Sequence, residues 1–299
     1  MPPTTLVDHV PATGEHQAGV ARPDQPQPNG RFTSYDADVD SRYEVRELLA
    51  ALGTTIATLT APGATVTGVT DDGAGDLTIT VGVGPRLVAM AGADLPGADP
   101  LPRFDRDGDL PERDRGGDLL LAVQASDAVV VENVGNHLVL LSGQLSVRWA
   151  QRGFRGGGNG QAGVARNVVG YLDGIVVPRT SEELDANVWI PSGPAKGGTI
   201  CVLRRLVVDV SRFAAETPER QDAIIGRHQS DGSPLSGGGP MDKVDPTAKT
   251  PEGQYLTPAH AHARAAHPSF TGSPTMLRGS YTFDNGPSDR GTIFRCFQP

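Results

Sequence analysis

Three of the chain's seven histidines, His260, His262 and His267, crowd into the stretch AHAHARAAHP. The i, i+2 spacing of the first pair puts the two rings on different faces of a helix, so a two-histidine helical zinc site is absent. One imidazole is enough for the axial position of a haem iron, and a partly exposed polar segment is the plain alternative. A carboxylate, Asp173, sits between two glycines in GYLDG (170–174), with Val168 and Val169 before it and Ile175 and Val176 after it. Such an Asp is ordinarily a turn residue bonded to its own backbone, and the five residues alone do not decide whether it does more. Arg278 follows two apolar residues in MLRGSYTFDNG, and Arg204 shares a face with Ile200, Val202, Leu206, Val208 and Val210. Structural ion pairs account for either arginine as readily as ligand contacts do. Nothing resembles a serine-hydrolase elbow, a Walker loop or a dinucleotide fingerprint. GVGPRL (82–87) lacks the following helix that phosphate binding needs. The alternating Asp105, Asp107 and Asp109 lack the glycine and terminal glutamate of an EF-hand loop, so a solvated loop is expected there.

These side chains need elements to hold them. The first forty residues are rich in Pro and Gln and read as extended. Val45, Leu48, Leu49, Leu52, Ile56 and Leu59 then recur with a helical period, which predicts an amphipathic helix over 44–60. Strands are expected at 77–84, 118–125, 144–151, 198–210 and 291–298, and a helix at 217–228 with Pro218 in its first turn. Residues 229–257 read as polar loop, and RGFRGGGNGQAG (152–163) as a flexible joint between domains. Strands and helices mix in each half without the regular alternation of a parallel sheet, so two α+β domains are expected.

A chain of 299 residues has room for two such domains and a buried ligand. A net charge of −9 without a basic run argues against nucleic acid or an anionic membrane as partner. No apolar run is long enough to span a bilayer. The two cysteines, Cys201 and Cys296, fall in strand-like runs and read as buried free thiols. The N-terminus has neither a basic nor an apolar signal region, so the sequence as written points to the cytoplasm. A removed twin-arginine leader would place the protein outside the cell or in its envelope.

Taken in order, the blocks GEHQAGV, LTITVGVGPRLV, GGDLLLAVQASD, VRWAQRGF, RNVVGYLDGIVVP, GGTICVLRRLVVDV, AHARAAHP, LRGSYTFDNG and RGTIFRCFQ resemble the dye-decolorizing peroxidases. They are most similar to the branch with the deferrochelatase-type, twin-arginine-exported enzymes, from about residue 14 to the end of the chain. The resemblance implies two ferredoxin-like α+β domains. An extended segment would cover 1–30, the first domain 31–160 and the haem-binding second domain 161–299, short at its C-terminus.

The cofactor implied is haem b. By that resemblance His262 is the iron's axial ligand, Asp173 the Asp of the GxxDG motif on the opposite side of the haem, and Arg278 the arginine that acts with it. Gly279 stands where the motif has a second arginine. His262, Arg278, Asp173 and Arg264 are expected around the cofactor. Asp289, and after it Asp284, is the expected carboxylate accepting the imidazole Nδ1–H, which would make His262 a stronger donor. Implied partners are hydrogen peroxide and small aromatic reductants, and a homo-oligomer is left open. For bulky reductants Tyr171, Tyr255, Tyr281, Trp149 and Trp189 are candidate relays, with ordinary packing as the alternative for each. Iron release from haem, or haem binding with little turnover, are the alternative activities. The chain departs from the family in ending just after CFQ and in carrying Ile175 and Val176 where the family has an asparagine; the first of these puts haem retention at stake.

Overall fold

The computed structural model describes residues 9–92, 95–105, 107–108, 110–141, 143–156 and 164–299. The chain divides into two compact units, one of residues 1–154 with 189–202 and 299, the other of residues 155–188 and 203–298. The Gly-rich stretch expected as a joint falls largely outside the described residues.

The first unit is built from β1 (Asn29–Ala37), α1 (Arg42–Leu59), β2 (Thr78–Val83), α2 (Pro85–Ala91), β3 (Leu119–Ala125), α3 (Ala128–Leu141) and β4 (Leu145–Phe154). Its strands run β2-β3-β1-β4, every neighbouring pair antiparallel. Apart from the short α2, this is the β-α-β-β-α-β order of a ferredoxin-like domain. Helix α1 starts where its local chemistry says it should. Ser41 accepts from the Glu44 N–H, and the Glu44 carboxylate accepts from the Ser41 N–H. Val45, Leu48, Leu52, Ile56 and Leu59 are its buried stripe and join the core with β1, β2, β3 and α3.

Two helices here were not expected. The seven-residue α2 follows GVG directly, with Gly84 at its N-cap and Pro85 in its first turn. Helix α3 buries Val131, Val134 and Leu138 on one face, and its polar residues Glu132, Asn133, Asn136 and His137 share the other by helical spacing. Trp189 in the 189–202 segment is stacked by His16, with ring centroids 3.7 Å apart and 5° between planes. The His16 Nδ1–H donates to the Gly197 carbonyl at 2.8 Å.

One ion pair ties α2 to the sheet. Arg86 donates through Nε and Nη2 to the two oxygens of Asp118, each at 2.8 Å, and also to the Ala37 and Val39 carbonyls. Burial pushes the Asp118 carboxyl upward, but the bonds from Arg86 and the Ala37 N–H outweigh it and hold the group below the usual carboxylate range. Its contribution to stability is therefore complete above the unfolded-chain pKa and lost as pH falls through the lower folded value. Asp118→Asn should cost about 2 kcal/mol at neutral pH. It should also flatten the loss of stability from about pH 4 downward. Urea unfolding of parent and variant across that range checks both, and parallel pH profiles would refute the second.

The second unit contains β5 (Ala165–Arg166), β6 (Leu172–Asp173), α4 (Ser181–Asn187), the larger part of β7 (Ile200–Val207), α5 (Val210–Ala214) and α6 (Pro218–Ile225). After a long loop come α7 (His262–Ala265), α8 (Pro268–Thr271), β8 (Leu277–Arg278), β9 (Tyr281–Asp284) and β10 (Arg290–Gln298). Strand β10 pairs antiparallel with β8 and β9, and β7 lies beside it. Both units mix strands and helices, as an α+β fold requires. Among the described residues no helix is long and apolar enough to cross a membrane.

Candidate active site

Asp173 closes a two-residue strand. Its Cα partner across β5–β6 is Ala165, and Leu172 faces Arg166. The loop before it is tightened by Asn167, whose Oδ1 accepts from the N–H groups of Val169 and Tyr171, each at 3.1 Å. Gly170 and Gly174 have φ of 85° and 86°, left-handed values that a side chain would strain. Tyr-Leu-Asp is thus a short rigid piece between two glycine hinges.

His262 opens the four-residue helix α7. The preceding turn of the chain is pressed against the end of α6 at Gly226, which has φ 94°. A Cβ there would lie 3.1 Å from Thr257, 3.2 Å from Ala263 and 3.3 Å from Ala261. Arg264 holds the same helix from the other direction. It is buried, donates to the Thr257 carbonyl at 3.1 Å, and lies 3.7 Å over the Tyr255 ring and 5.4 Å from the Phe270 ring.

The structure brings three of the expected residues within range of one another's charge. The His262 ring is open to solvent although protein crowds around it. That burial lowers its pKa below the usual histidine value; nearby Asp173 acts to raise it and Arg278 to lower it further. The net effect favours the neutral ring, the form that can bind a metal. Arg278, in β8, sits opposite Cys296 of β10 and donates through Nη2 to the Val176 carbonyl at 3.1 Å. The arginine thereby grips the chain three residues beyond Asp173.

All three retain unused bonding capacity. Arg278 Nε is buried without a hydrogen-bond partner among the described residues. Among the same residues no hydrogen bond reaches the half-buried Asp173 carboxylate or the His262 ring. Of these only Arg278 Nε is a buried atom, and a buried donor left unpaired near a carboxylate and an imidazole that have capacity to spare marks a place able to receive something polar. No cluster of His, Cys, Asp and Glu that could hold a metal ion occurs among the described residues.

Other expected residues are engaged elsewhere. Asp289 pairs with Arg205 and accepts from Asn285 Nδ2 at 2.9 Å, while Asp284 pairs with Arg290 at 3.6 Å. Both carboxylates belong to the β9–β10 hairpin, whose tight turn turns them toward these neighbours. The charges that act on His262 are those of Asp173 and Arg278 instead. Arg264 likewise spends its guanidinium on Thr257, Tyr255 and Phe270 rather than on His262. His260 lies 3.4 Å from Arg220, and the His267 Nδ1 accepts the Ser269 N–H at 3.2 Å as the cap of α8. Of the aromatic candidates Tyr171, Tyr281 and Trp189 are buried, Trp149 is half-buried and Tyr255 is exposed.

Two arginines join the site that the motif reading missed. Burial pushes the Arg155 guanidinium below its ordinary pKa, against the nearby Tyr281 and Asp173. Arg295, also buried, lies near the same ring, each guanidinium 5.9 Å from the Tyr281 centroid. Gly279 explains how Arg295 fits, since a Cβ at that position would stand 2.9 Å from its Nη2. Where the motif has a second arginine this chain has none, and the side chain from β10 takes the space. The one available signal was a charged residue inside the apolar strand RGTIFRCFQ.

Residues 17–155 match the Dyp-type peroxidase N-terminal family model and residues 164–299 the C-terminal one. The chain is 30% identical over 246 residues to the dye-decolorizing peroxidase of Thermobifida fusca, covering 74% of this chain and 56% of that protein. The chain thus spans little more than half the length of that relative. It is 26% identical to the deferrochelatase of Escherichia coli K12, covering 99% of this chain and 77% of that protein. The structure of ferric DtpA from Streptomyces lividans superposes with a TM-score of 0.89 at 30% identity, covering 100% of this chain and 86% of that one. With both halves matched in order by the two family models, the chain belongs to the Dyp-type peroxidase family.

Proposed function

We propose that this protein is a haem b peroxidase that reduces hydrogen peroxide and oxidises small aromatic, phenolic or dye-like reductants by one-electron steps. The observation that supports it most is the meeting of His262, Asp173 and Arg278 around unspent hydrogen-bonding capacity in a member of this family. When bound, haem supplies a redox-active iron at which the O–O bond of peroxide is broken. His262, kept neutral by its surroundings, would hold that iron through its imidazole. Asp173 takes the proton from the nearer peroxide oxygen and returns it to the farther one, so that oxygen leaves as water. Arg278 is charged at every working pH and stabilises the negative charge that develops as the bond polarises. Arg264 serves the cofactor through α7, by fixing the helix that presents His262.

The deciding experiment is the visible spectrum of the purified protein before and after one equivalent of peroxide. A Soret band that shifts promptly is expected. A colourless protein from haem-replete cells would refute haem binding, and a Soret band indifferent to peroxide would refute peroxidase turnover. A second reading, iron release from haem, is favoured by the similarity to deferrochelatases over nearly all of this chain. Free iron beside intact protoporphyrin after incubation with haem would establish it in place of peroxide chemistry.

A further inference from the structure

Two residues before Asp173, Tyr171 is buried to 1% exposure and packs edge-on against Phe213. Its hydroxyl donates to Asp222 Oδ1 at 2.6 Å, the short distance of a bond to an ionised carboxylate. Asp222 lies in α6, and its two oxygens are otherwise taken by neighbours on the following turn. Oδ1 also accepts the Gln229 N–H at 3.0 Å, and Oδ2 lies 3.0 Å from His228 Nδ1. The same turn reaches back to the loop a second time. Gln229 Nε2 donates to the Val169 carbonyl at 3.2 Å, and Arg166 Nη1 donates to both the Gly170 and Gln229 carbonyls at 2.6 Å.

We infer that Asp222 is a positioning residue for Asp173, acting through the Tyr171 hydroxyl; this rests on the proton-transfer role given to Asp173 above. The physical need lies in the Asp173 side chain. The β5–β6 pairing and Asn167 fix the backbone of residues 171–173, while no hydrogen bond among the described residues reaches the Asp173 carboxylate. That short ladder is itself anchored two residues before Asp173, where a buried phenol is bonded to a carboxylate on a helix. The bond is kept because burial and then Asp222 itself push the Tyr171 phenol far above its usual pKa, so the proton stays on the ring oxygen. Asp173 is thereby left free of local partners and still held in place, as a group that must accept and release a proton requires.

The test uses the full chain as purified, with Tyr171→Phe and Asp222→Asn, which remove the hydroxyl or the charge and keep the packing volume. Amide hydrogen exchange should accelerate roughly 10- to 100-fold over residues 170–174 in both variants, the worth of one hydrogen bond to a charged group. Exchange in β10 should stay at the parent rate. Unchanged exchange at 170–174, or equal acceleration in β10, would overturn the proposal. The second readout is the rate of the first peroxide reaction in a double-mutant cycle. Asp222→Asn should slow it about tenfold in the parent and less than about twofold in an Asp173→Asn background, because its effect passes through Asp173. Equal slowing in both backgrounds counts against the proposal. Should Asp173→Asn itself react at the parent rate, the role of Asp173 is what fails, and the exchange result still decides on Asp222.

Discussion

His262→Ala is expected to strip the protein of nearly all its haem, while His260→Ala and His267→Ala keep it. The three histidines are close in sequence and differ in what the fold has done with them. His260 faces Arg220, and His267 is committed to capping α8 and packing near Phe270. His262 lies beside Asp173 and Arg278, its pKa lowered by burial, with no hydrogen bond among the described residues. One imidazole would be the protein's only covalent hold on the iron, so its loss would remove most of the affinity rather than a fraction of it. The haem-to-protein ratio from the Soret band checks this. Return of the band when free imidazole is added to the His262→Ala variant would separate a missing ligand from a misfolded pocket. Parent-level haem in that variant, with loss in either neighbour, would move the ligand to another histidine.

The second large effect should appear at Asp173 and Arg278, with haem content preserved. Asp173→Asn and Arg278→Leu should each slow the first peroxide reaction by a factor on the order of 10²–10⁴, the usual worth of a positioned proton carrier or charge stabiliser. The two variants should differ in a readable way. Asp173→Asn removes a proton acceptor of nearly the same shape, so peroxide should still bind. Arg278→Leu also frees the Val176 carbonyl, and with it the loop that follows Asp173, so its defect should extend to peroxide affinity. Arg278→Lys should rescue little, because an ammonium cannot both reach Val176 and keep a second donor directed into the site. Stopped-flow spectra at increasing peroxide resolve rate from affinity. If both variants react at the parent rate, the proposed acid–base mechanism is wrong.

Much of the scaffold was legible because its causes are local. The stripe from Val45 to Leu59 lies within one helix, and α1 begins and ends within two residues of where that stripe places it. The apolar runs in LTITVGVG and DLLLAVQA likewise mark β2 and β3. Helix α3 was legible in the same way though no helix was expected there, since Glu132, Asn133, Asn136 and His137 share one helical face opposite Val131, Val134 and Leu138. Strand β1 was not legible: NGRFTSYDA is polar at alternate positions and follows a Pro-rich stretch, yet it lies inside the first unit's sheet between β3 and β4. Its place depends on two partners about ninety and about a hundred and twenty residues away.

The sequence by itself determined the kinds of chemistry this protein can hold: an imidazole in AHARAAHP, a carboxylate between glycines in GYLDG, and an arginine in LRGSYTF. Those depend on residue type and short spacing, which a chain displays before it folds. The tertiary structure alone decided which charges meet. Register across β8 and β10 sets Arg278 opposite Cys296 and brings Arg295 into the space that Gly279 leaves. The placing of β7 beside β10 gives Asp289 to Arg205, and closure of the β9–β10 hairpin gives Asp284 to Arg290. The packing of α6 against the GYLDG loop joins Tyr171 to Asp222, fifty-one residues apart. Side-chain pairing over such separations follows from strand register and helix docking, and these are properties of the whole buried core rather than of any stretch within it.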